Sequence, residues 1–341
     1  MLTVPARITL DAVHGIGEIT ARSDLAAEIA QHADLVDGDV VVVTSKVVSK
    51  AEGRIVSGDR DALVAEQPVR VVARRGATRI VRTRQGLTLA AAGLDASNTA
   101  PGTVVQLPVD PDASARDLRH DLLRSCGVNV AVVVSDTAGR PWREGQTDLA
   151  IGVAGLLPLQ DLAGEPDSHG RPLAVTAPAV ADELAAAADL VKGKLARRPV
   201  ALVRGLGALV LPPDVDGPGA VALVRPAAAD LFGWGAADAV RVAVRRDAPG
   251  ATEGFPVADT DGAALLADAM VATTPGRVRV VRRSPDTWEI QPADGADALA
   301  AAWETGALVE RLRALATSTR RALDVRPWPT PDCCASVSLR S

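Results

Sequence analysis

Aromatic residues are scarce in this chain, since its 341 residues include no Tyr, two Phe and five Trp. The core must therefore be built mainly from Ala, Val and Leu. Proteins that bind single-stranded nucleic acid use aromatic side chains as stacking platforms. A net charge of −5 also argues against a basic surface for phosphate backbones. We therefore expect no nucleic-acid partner.

Long apolar runs and cysteine frameworks are also absent. The longest nearly apolar run, Leu149–Leu159, is interrupted by Gly and Pro and is too short for the roughly 20 residues that span a bilayer. The N-terminus has no charged segment followed by an apolar stretch, so we predict no signal peptide. The three cysteines, Cys126, Cys333 and Cys334, form neither a disulfide framework nor a zinc spacing. We expect a cytoplasmic protein without membrane association.

The hydrophobic pattern predicts an α+β (mixed α/β) main domain over residues 1–245. Valine-rich segments at 39–48 and 129–137 indicate buried strands, and residues 113–126 and 178–191 have the pattern of helices.

The composition changes after residue 245 to that of a linker. Residues 246–324 are predicted to form a small α/β C-terminal appendage. Residues 325–341 are a Pro-rich polar tail that we expect to be disordered.

Lysine is rare, because only four of the 37 basic residues are lysines: Lys46, Lys50, Lys192 and Lys194. A lysine ammonium is a compact, flexible charge that suits phosphates and tunable ionisation better than a guanidinium does. Two close pairs in a chain that otherwise uses Arg suggest functional positions. The alternative is chance retention on exposed turns.

Oxygen-bearing side chains follow the predicted strand 129–137. Asp136 and Thr137 come at its C-terminal end, where a carboxylate and a hydroxyl suit a hard cation such as Mg²⁺. Asp95 and Asn98 follow another apolar stretch. Both pairs are also compatible with hydrogen-bonded turns, and for Asp95 and Asn98 alone a turn is the better interpretation.

The loop at residues 15–19, GIGEI, has two glycines that would let a backbone approach a phosphate. It is not the dinucleotide fingerprint, and the chain contains no P-loop, nucleophile elbow or zinc-protease motif. The candidate donors are Asp, Asn, Thr, Ser and Lys. That set suits Mg²⁺ or Mn²⁺ and phosphates rather than zinc or a covalent thiol.

Six ordered segments resemble those of the coenzyme F420-0:L-glutamate ligase (CofE) family: GIGEI, DLVDGDVVVVTSKVVSKAEGR, AAGLDASN, LPVDPDASARDLR, VSDTAGRPWREGQTDLAIG and VADELAAAADLVKGKL. The resemblance covers about residues 7–245 and is greatest to the N-terminal ligase domain of actinobacterial FbiB proteins. It implies a CofE-like fold that is neither P-loop nor Rossmann, and an intertwined homodimer.

The resemblance also implies a GTP-dependent ligase of coenzyme F420 biosynthesis. Such an enzyme joins L-glutamate to the lactyl-phosphate side chain of F420-0 through an amide bond, and can add further γ-linked glutamates. GTP first phosphorylates the carboxylate, and the glutamate amine then displaces phosphate. The family uses Mn²⁺ or Mg²⁺ together with K⁺.

Carried over by position, the resemblance assigns metal ligands, catalytic groups and nucleotide contacts. The metal ligands would be Asp95, Asp136 and Thr137. The catalytic residues would be Lys50 and Asp136, with Lys50 neutralising charge on the transferred phosphoryl group. The GTP contacts would be Ile16, Gly17, Glu18, Ile19, Ser45, Lys50 and Asn98.

The chain departs from the family pattern in three places. Gly17 stands where the family usually has Pro. The loop after the strand at 199–205 lacks an obvious acidic or Gln metal ligand, which leaves one or two metals open. The appendage is too short for the flavin-binding domain of FbiB, so we expect no FMN.

Two alternatives stay open. One is a related GTP-dependent ligase that acts on another acceptor or amino acid. The other is a nucleotide-binding regulatory protein without catalysis, although retention of Lys50, Asp95, Asp136 and Thr137 argues against it.

Overall fold

The computed structural model describes residues 5–66, 70–76, 78–97, 99–226, 230, 239, 262–271, 273, 275–318, 322–327 and 335–340. The chain divides into two compact units, Met1–Val224 and Arg225–Ser341. The boundary predicted at residue 245, and the linker around it, lie outside the described residues.

The N-terminal unit has the mixed α and β composition that the sequence predicts. Its helices are α1 (Leu25–His32), α2 (Ser45–Ala51), α3 (Arg60–Glu66), α4 (Pro111–Cys126) and α5 (Val180–Lys192). Its strands are β1 (Thr9–Ala12), β2 (Val40–Thr44), β3 (Ile55–Ser57), β4 (Arg70–Arg75), β5 (Thr78–Arg82), β6 (Thr88–Ala90), β7 (Thr103–Val105), β8 (Ala131–Arg140), β9 (Arg143–Ala154) and β10 (Val200–Arg204).

A five-stranded sheet forms the centre of this unit, with strand order β1-β10-β2-β8-β9. Only β2 and β8 are parallel within it. Alternate residues of a strand face opposite sides, so Val41 and Val43 pack against α1 and α4 while Val40 and Val42 pack against α5. The two covered faces explain why both valine-rich segments are continuous apolar runs. Smaller sheets pair β3 with β7, and β5 with β4 and β6.

Helix α4 begins and ends at the residues that its sequence favours. Asp110 precedes it and accepts a hydrogen bond from the backbone N–H of Ala113 at 2.9 Å. Pro111 occupies the first helical position, where it loses no hydrogen bond. Gly127 follows the last turn with a left-handed φ of 70°, the usual conformation for a glycine that ends a helix.

One sequence prediction in this unit needs correction. The strand predicted over 39–48 ends at Thr44, and Ser45–Ala51 is helix α2 instead. Val48 is buried in the core beside α1 and α4, so tertiary packing overrides the strand preference of its β-branched neighbours. Strand β9 was not predicted from the sequence, because its polar first half, Arg143–Thr147, lacks an apolar pattern.

The C-terminal unit contains α6 (Gly262–Met270), α7 (Ala298–Ser318), β11 (Val278–Ser284), β12 (Thr287–Pro292), β13 (Ala322–Pro327) and β14 (Ala335–Arg340). Its strands form one antiparallel sheet of order β11-β12-β14-β13. Both helices and the sheet share a core around Trp288 and Leu308. Within the described parts of the chain, no helix has the length and apolar character to cross a membrane.

The expectation of a disordered tail over 325–341 is wrong for its last strand. β14 pairs with β12 on one side and with β13 on the other. Val337 and Leu339 alternate with polar residues and are buried in the core of the unit. The alternation extends over only six residues after a Pro-rich stretch, which is too short to predict a strand from the sequence.

The guanidinium of Arg119 connects α4 to the loop that follows β10. Its side chain is 1% exposed and forms an ion pair with Asp216 at 2.6 Å. Its further hydrogen bonds are to Asn129 Oδ1 and to the backbone carbonyls of Val130, Leu211, Pro212 and Val215. One buried side chain thus fixes the course of residues 211–216.

Arg119→Ala is expected to lower the free energy of unfolding by about 3–5 kcal/mol, because it breaks a buried ion pair and leaves several carbonyls without a donor. Urea unfolding followed by circular dichroism measures this loss. Arg124→Ala on the same helix removes a side chain that is 71% exposed and should change stability by less than about 0.5 kcal/mol. Equal effects of both substitutions would contradict the role of Arg119.

Candidate active site

Polar side chains converge where β2 ends and its pairing with β8 stops. The parallel register places Thr44 opposite Ser135, so Ser45 at the start of α2 and Asp136 within β8 lie side by side. Ser45 Oγ donates a hydrogen bond to Asp136 Oδ1 at 2.9 Å. Asp136 was predicted at the end of a buried strand, but β8 continues to Arg140, and Asp136 instead follows the buried part of the strand, Ala131–Ser135.

Asp136 is the carboxylate whose charge is least compensated. It keeps part of its surface exposed, but burial, together with the negative charges of Asp148 and Asp95, raises its pKa to about 6. The hydrogen bond from Ser45 acts in the opposite direction. No Lys or Arg of the described residues forms an ion pair with Asp136.

Asp95, in contrast, is neutralised by α2. Lys46 Nζ lies 2.6 Å from Asp95 Oδ2 and also donates to the Ser97 hydroxyl at 2.8 Å. Burial opposes ionisation of Asp95, but the hydrogen bonds from Lys46 and Ser97 outweigh it and lower its pKa. The backbone of Asp95 bridges to Val105 in β7. Asn98, a predicted GTP contact, lies outside the described residues.

Lys50 lies one helical turn after Lys46 on the same face of α2. It is 6% exposed, and its ammonium forms an ion pair with Glu18, whose side chain is 63% exposed. The helix therefore presents two lysines along one side, one toward Asp95 and one toward the GIGEI loop.

The GIGEI loop joins β1 to α1 and is anchored by its two isoleucines. Ile19 is 3% exposed, and Ile16 packs against the core beneath it. Gly17 has open space where a side chain would project. The loop therefore presents the backbone around Gly17 and the carboxylate of Glu18 to a ligand.

A second cluster lies on the other face of β8. Thr137 is directly opposite Asp148 in the β8–β9 pairing, and its hydroxyl donates to Asp148 Oδ1 at 2.8 Å. Asp148 Oδ2 accepts from Ser135 Oγ and from Lys192 Nζ, both at 2.8 Å. Burial opposes ionisation of Asp148, but these partners outweigh it and lower its pKa. Lys194 Nζ donates to Thr137 Oγ1 at 3.2 Å.

The predicted metal ligands therefore divide between two faces of β8. Asp136 points toward α2 and Asp95, whereas Thr137 points toward Lys192 at the end of α5. In the described ranges, no group of three or more His, Cys, Asp and Glu side chains is arranged to hold a metal ion. A hard cation here would take two protein carboxylates and complete its shell with hydroxyl, water or bound-anion oxygens, a donor set that Mg²⁺ and Mn²⁺ accept.

A model of the F420-0:gamma-glutamyl ligase family matches residues 15–205, the stretch that contains all of these residues. This chain belongs to that family. The family resemblance identified from the sequence motifs is thereby confirmed.

Several relatives carry the name coenzyme F420:L-glutamate ligase. The one from Methanothermobacter thermautotrophicus is 41% identical over 253 residues, which cover 66% of this chain and 98% of the relative. The one from Methanopyrus kandleri is 40% identical over 234 residues, covering 61% and 91%. The one from Halobacterium salinarum is 41% identical over 208 residues, covering 54% and 81%.

Sequence reasoning assigned no role to Lys192 and counted Asp148 only among the charged residues near an anion-plus-metal site. A signal for Asp148 exists, because a tight turn between Arg140 and Arg143 sets a register in which Thr137 faces Asp148. Since β9 was not recognised as a strand, that register was not applied. No comparable local signal connects Lys192 to the sheet, because the contact spans 44 residues.

Asp136→Asn is expected to stabilise the fold at about pH 8 and to stabilise it less at about pH 4.5. A carboxyl whose pKa is raised to about 6 in the folded state costs folding free energy when it ionises, and this cost grows as pH rises from the unfolded pKa through the folded pKa. Urea unfolding with a chelator present measures both values.

Asp117→Asn, at an exposed position of α4, is the control and should give no comparable pH-dependent gain. An Asp136→Asn protein that is less stable than the wild type at about pH 8 would contradict this electrostatic description.

Proposed function

We propose that this chain is a GTP-dependent ligase of coenzyme F420 biosynthesis that joins L-glutamate to the lactyl-phosphate carboxylate of coenzyme F420-0. The observation that carries the proposal is the meeting of Asp136, Ser45 and the two lysines of α2 at one strand end, in a member of this family. The names of the relatives support the acceptor and the amino acid. GTP and the ions rest on the motif resemblance.

The proposed reaction has two steps. A carboxylate oxygen of the acceptor attacks the γ-phosphorus of GTP, and GDP leaves with the electrons of the broken bond. The glutamate amine then attacks the acyl carbon, inorganic phosphate leaves, and the amine loses a proton as the amide forms. Further γ-linked glutamates would be added by the same steps. Such chemistry needs mainly positioning and charge neutralisation from the protein.

The carboxylates of Asp95 and Asp136 are proposed to hold the divalent cation, with Thr137 at the adjacent position of β8. When bound, Mn²⁺ or Mg²⁺ would neutralise phosphate oxygens, and K⁺ would be required as the monovalent cation. Asp136 suits this role because it is largely buried, lies near the negative charges of Asp95 and Asp148, and has no Lys or Arg of the described residues as an ion-pair partner.

The nucleotide is proposed to bind across the GIGEI loop and α2. The open backbone around Gly17 would approach the phosphates, together with Ser45, Asn98 and the loop residues Ile16, Glu18 and Ile19. Lys50 would neutralise charge on the transferred phosphoryl group. We further propose a cytoplasmic homodimer without FMN, as the family resemblance implies.

Incubation of the protein with F420-0, GTP, Mn²⁺, K⁺ and L-glutamate is expected to increase the mass of the cofactor by one or more glutamyl residues. Asp136→Ala should abolish this gain because it removes a proposed metal ligand. Mass spectrometry of the cofactor reads the outcome, and Asp117→Ala, at an exposed surface position, should retain activity.

No mass gain, with GTP still bound, would overturn the proposed acceptor. It would favour a ligase for another acceptor or amino acid, or a regulatory protein.

Lys50→Met is expected to lower kcat by about 10²–10³, the range found when one group that stabilises transition-state charge is removed. Its buried position should tolerate the similar volume of Met. The rate of GDP release in the complete reaction measures the effect. Arg60→Met, which removes a half-exposed cation of α3, should leave kcat unchanged, and an unchanged kcat for Lys50→Met would contradict the role of Lys50.

A further inference from the structure

The ion pair of Lys192 with Asp148 is buried directly behind the candidate site. Lys192 is the last residue of α5 and Asp148 lies in β9, and their side chains are each 3% exposed at a separation of 2.8 Å. Neither residue has been given a role in the proposed reaction.

The hydrogen bonds of this pair reach Thr44, Ser135 and Thr137, which are the chain neighbours of Ser45 and Asp136. Lys192 Nζ donates to Ser135 Oγ at 2.8 Å and to Thr44 Oγ1 at 3.4 Å. Asp148 accepts from Ser135 and Thr137. Thr44 precedes Ser45 in the chain.

Ser135 and Thr137 are the two neighbours of Asp136. The pair thus holds Thr44, Ser135 and Thr137 from the α5 side and leaves Asp136 on the face that carries Ser45 of α2. Their geometry depends on backbone positions that the pair restrains.

Stability alone does not account for a buried ion pair here. Apolar residues of similar volume often stabilise a protein as well as a buried ion pair does, because they avoid the desolvation penalty. Hydrogen bonds from a fixed donor and acceptor restrain the orientation of their partner groups, which apolar packing does not.

A second buried carboxylate of the same sheet offers a comparison. Asp39, just before β2, is fully buried and accepts two hydrogen bonds from Arg204 at 2.8 Å each. It lies at the opposite end of β2 from Thr44, so it joins the same central strands without contacting the residues around Asp136.

We propose that Lys192 and Asp148 are positioning residues that fix Thr44, Ser135 and Thr137 and thereby set the geometry of Asp136 toward a divalent cation. This inference rests on the proposed function, because it assigns the pair to the metal site of that ligase.

The test is Mn²⁺ affinity, measured by isothermal titration calorimetry on the full chain without substrates. Asp148→Asn/Lys192→Met removes both charges, retains similar volumes and keeps one acceptor oxygen. We expect its Mn²⁺ dissociation constant to rise about 10–100-fold, the range for residues that orient metal ligands. We expect kcat to fall similarly, with a thermal midpoint near that of the wild type.

The matched control is Asp39→Asn/Arg204→Met, which neutralises the pair at the other end of the sheet. It is expected to leave the Mn²⁺ dissociation constant unchanged. A wild-type dissociation constant in the Asp148/Lys192 variant would overturn the proposal, and so would an equal rise in both variants, since that would indicate general loosening.

If the double variant does not fold, Asp148→Glu keeps the ion pair but moves the carboxylate oxygens by one methylene. It is expected to fold and to weaken Mn²⁺ binding, and wild-type affinity in this variant would overturn the proposal. The variant Asp136→Ala distinguishes a failure of this inference from a failure of the proposed function. Wild-type protein that does not bind Mn²⁺, or binds it equally well without Asp136, would contradict the proposed function itself.

Discussion

The parallel pairing of β2 with β8 determines where the polar groups of the site lie. Val40–Val43 and the opposing residues Ala131–Val134 are fully buried, so a register slip would move an entire apolar set to the wrong face. The parallel pairing stops at Thr44 and Ser135. Beyond it the chain turns into α2 after Thr44, whereas β8 continues to Arg140 beside β9. The meeting of Ser45 with Asp136 is a consequence of this core register.

The sequence predicted those parts of the fold that local patterns specify. The buried strands follow from uninterrupted valines, and α4 follows from the helical pattern over residues 113–126. Helix α2 did not, because Val47 and Val48 prefer strands locally and only packing against α1 and α4 makes the helix favourable. The register of β9 and the pairing of β14 depend on contacts between distant residues, which no local period records.

Prediction of the site was limited by the same physics. Asp136 could be placed because it directly follows the continuous buried run Ala131–Ser135 of β8. Strand alternation predicts that Asp136 and Thr137 lie on two faces of β8. The sequence does not show that α2 and α5 cover these opposite faces, so the separation of the two residues into different clusters could not be predicted. Asp148 required the hairpin register, and Lys192 required the docking of α5 on the sheet.

The distribution of cations separates structural from candidate functional positions. Arg119 and Arg204 connect elements through several fixed hydrogen bonds, a task that suits the rigid, planar guanidinium. The four lysines of the chain all contact residues of the candidate site, with partners Asp95, Glu18, Asp148 and Thr137. An ammonium on a flexible stem can exchange one oxygen partner for another at small cost, which is the property that a site for phosphate transfer needs.

The three aspartates of the site differ in how far their negative charges are compensated. Lys46 compensates Asp95 and Lys192 compensates Asp148, whereas Asp136 has only neutral hydrogen-bond donors, the hydroxyl of Ser45 and the backbone of Thr137. A fold selected for stability alone would have paired Asp136 or replaced it, because an enclosed uncompensated carboxylate opposes folding. Its retention between two paired neighbours indicates that the unbalanced negative charge is itself the useful feature, since a divalent cation gains most where the protein has left charge unneutralised.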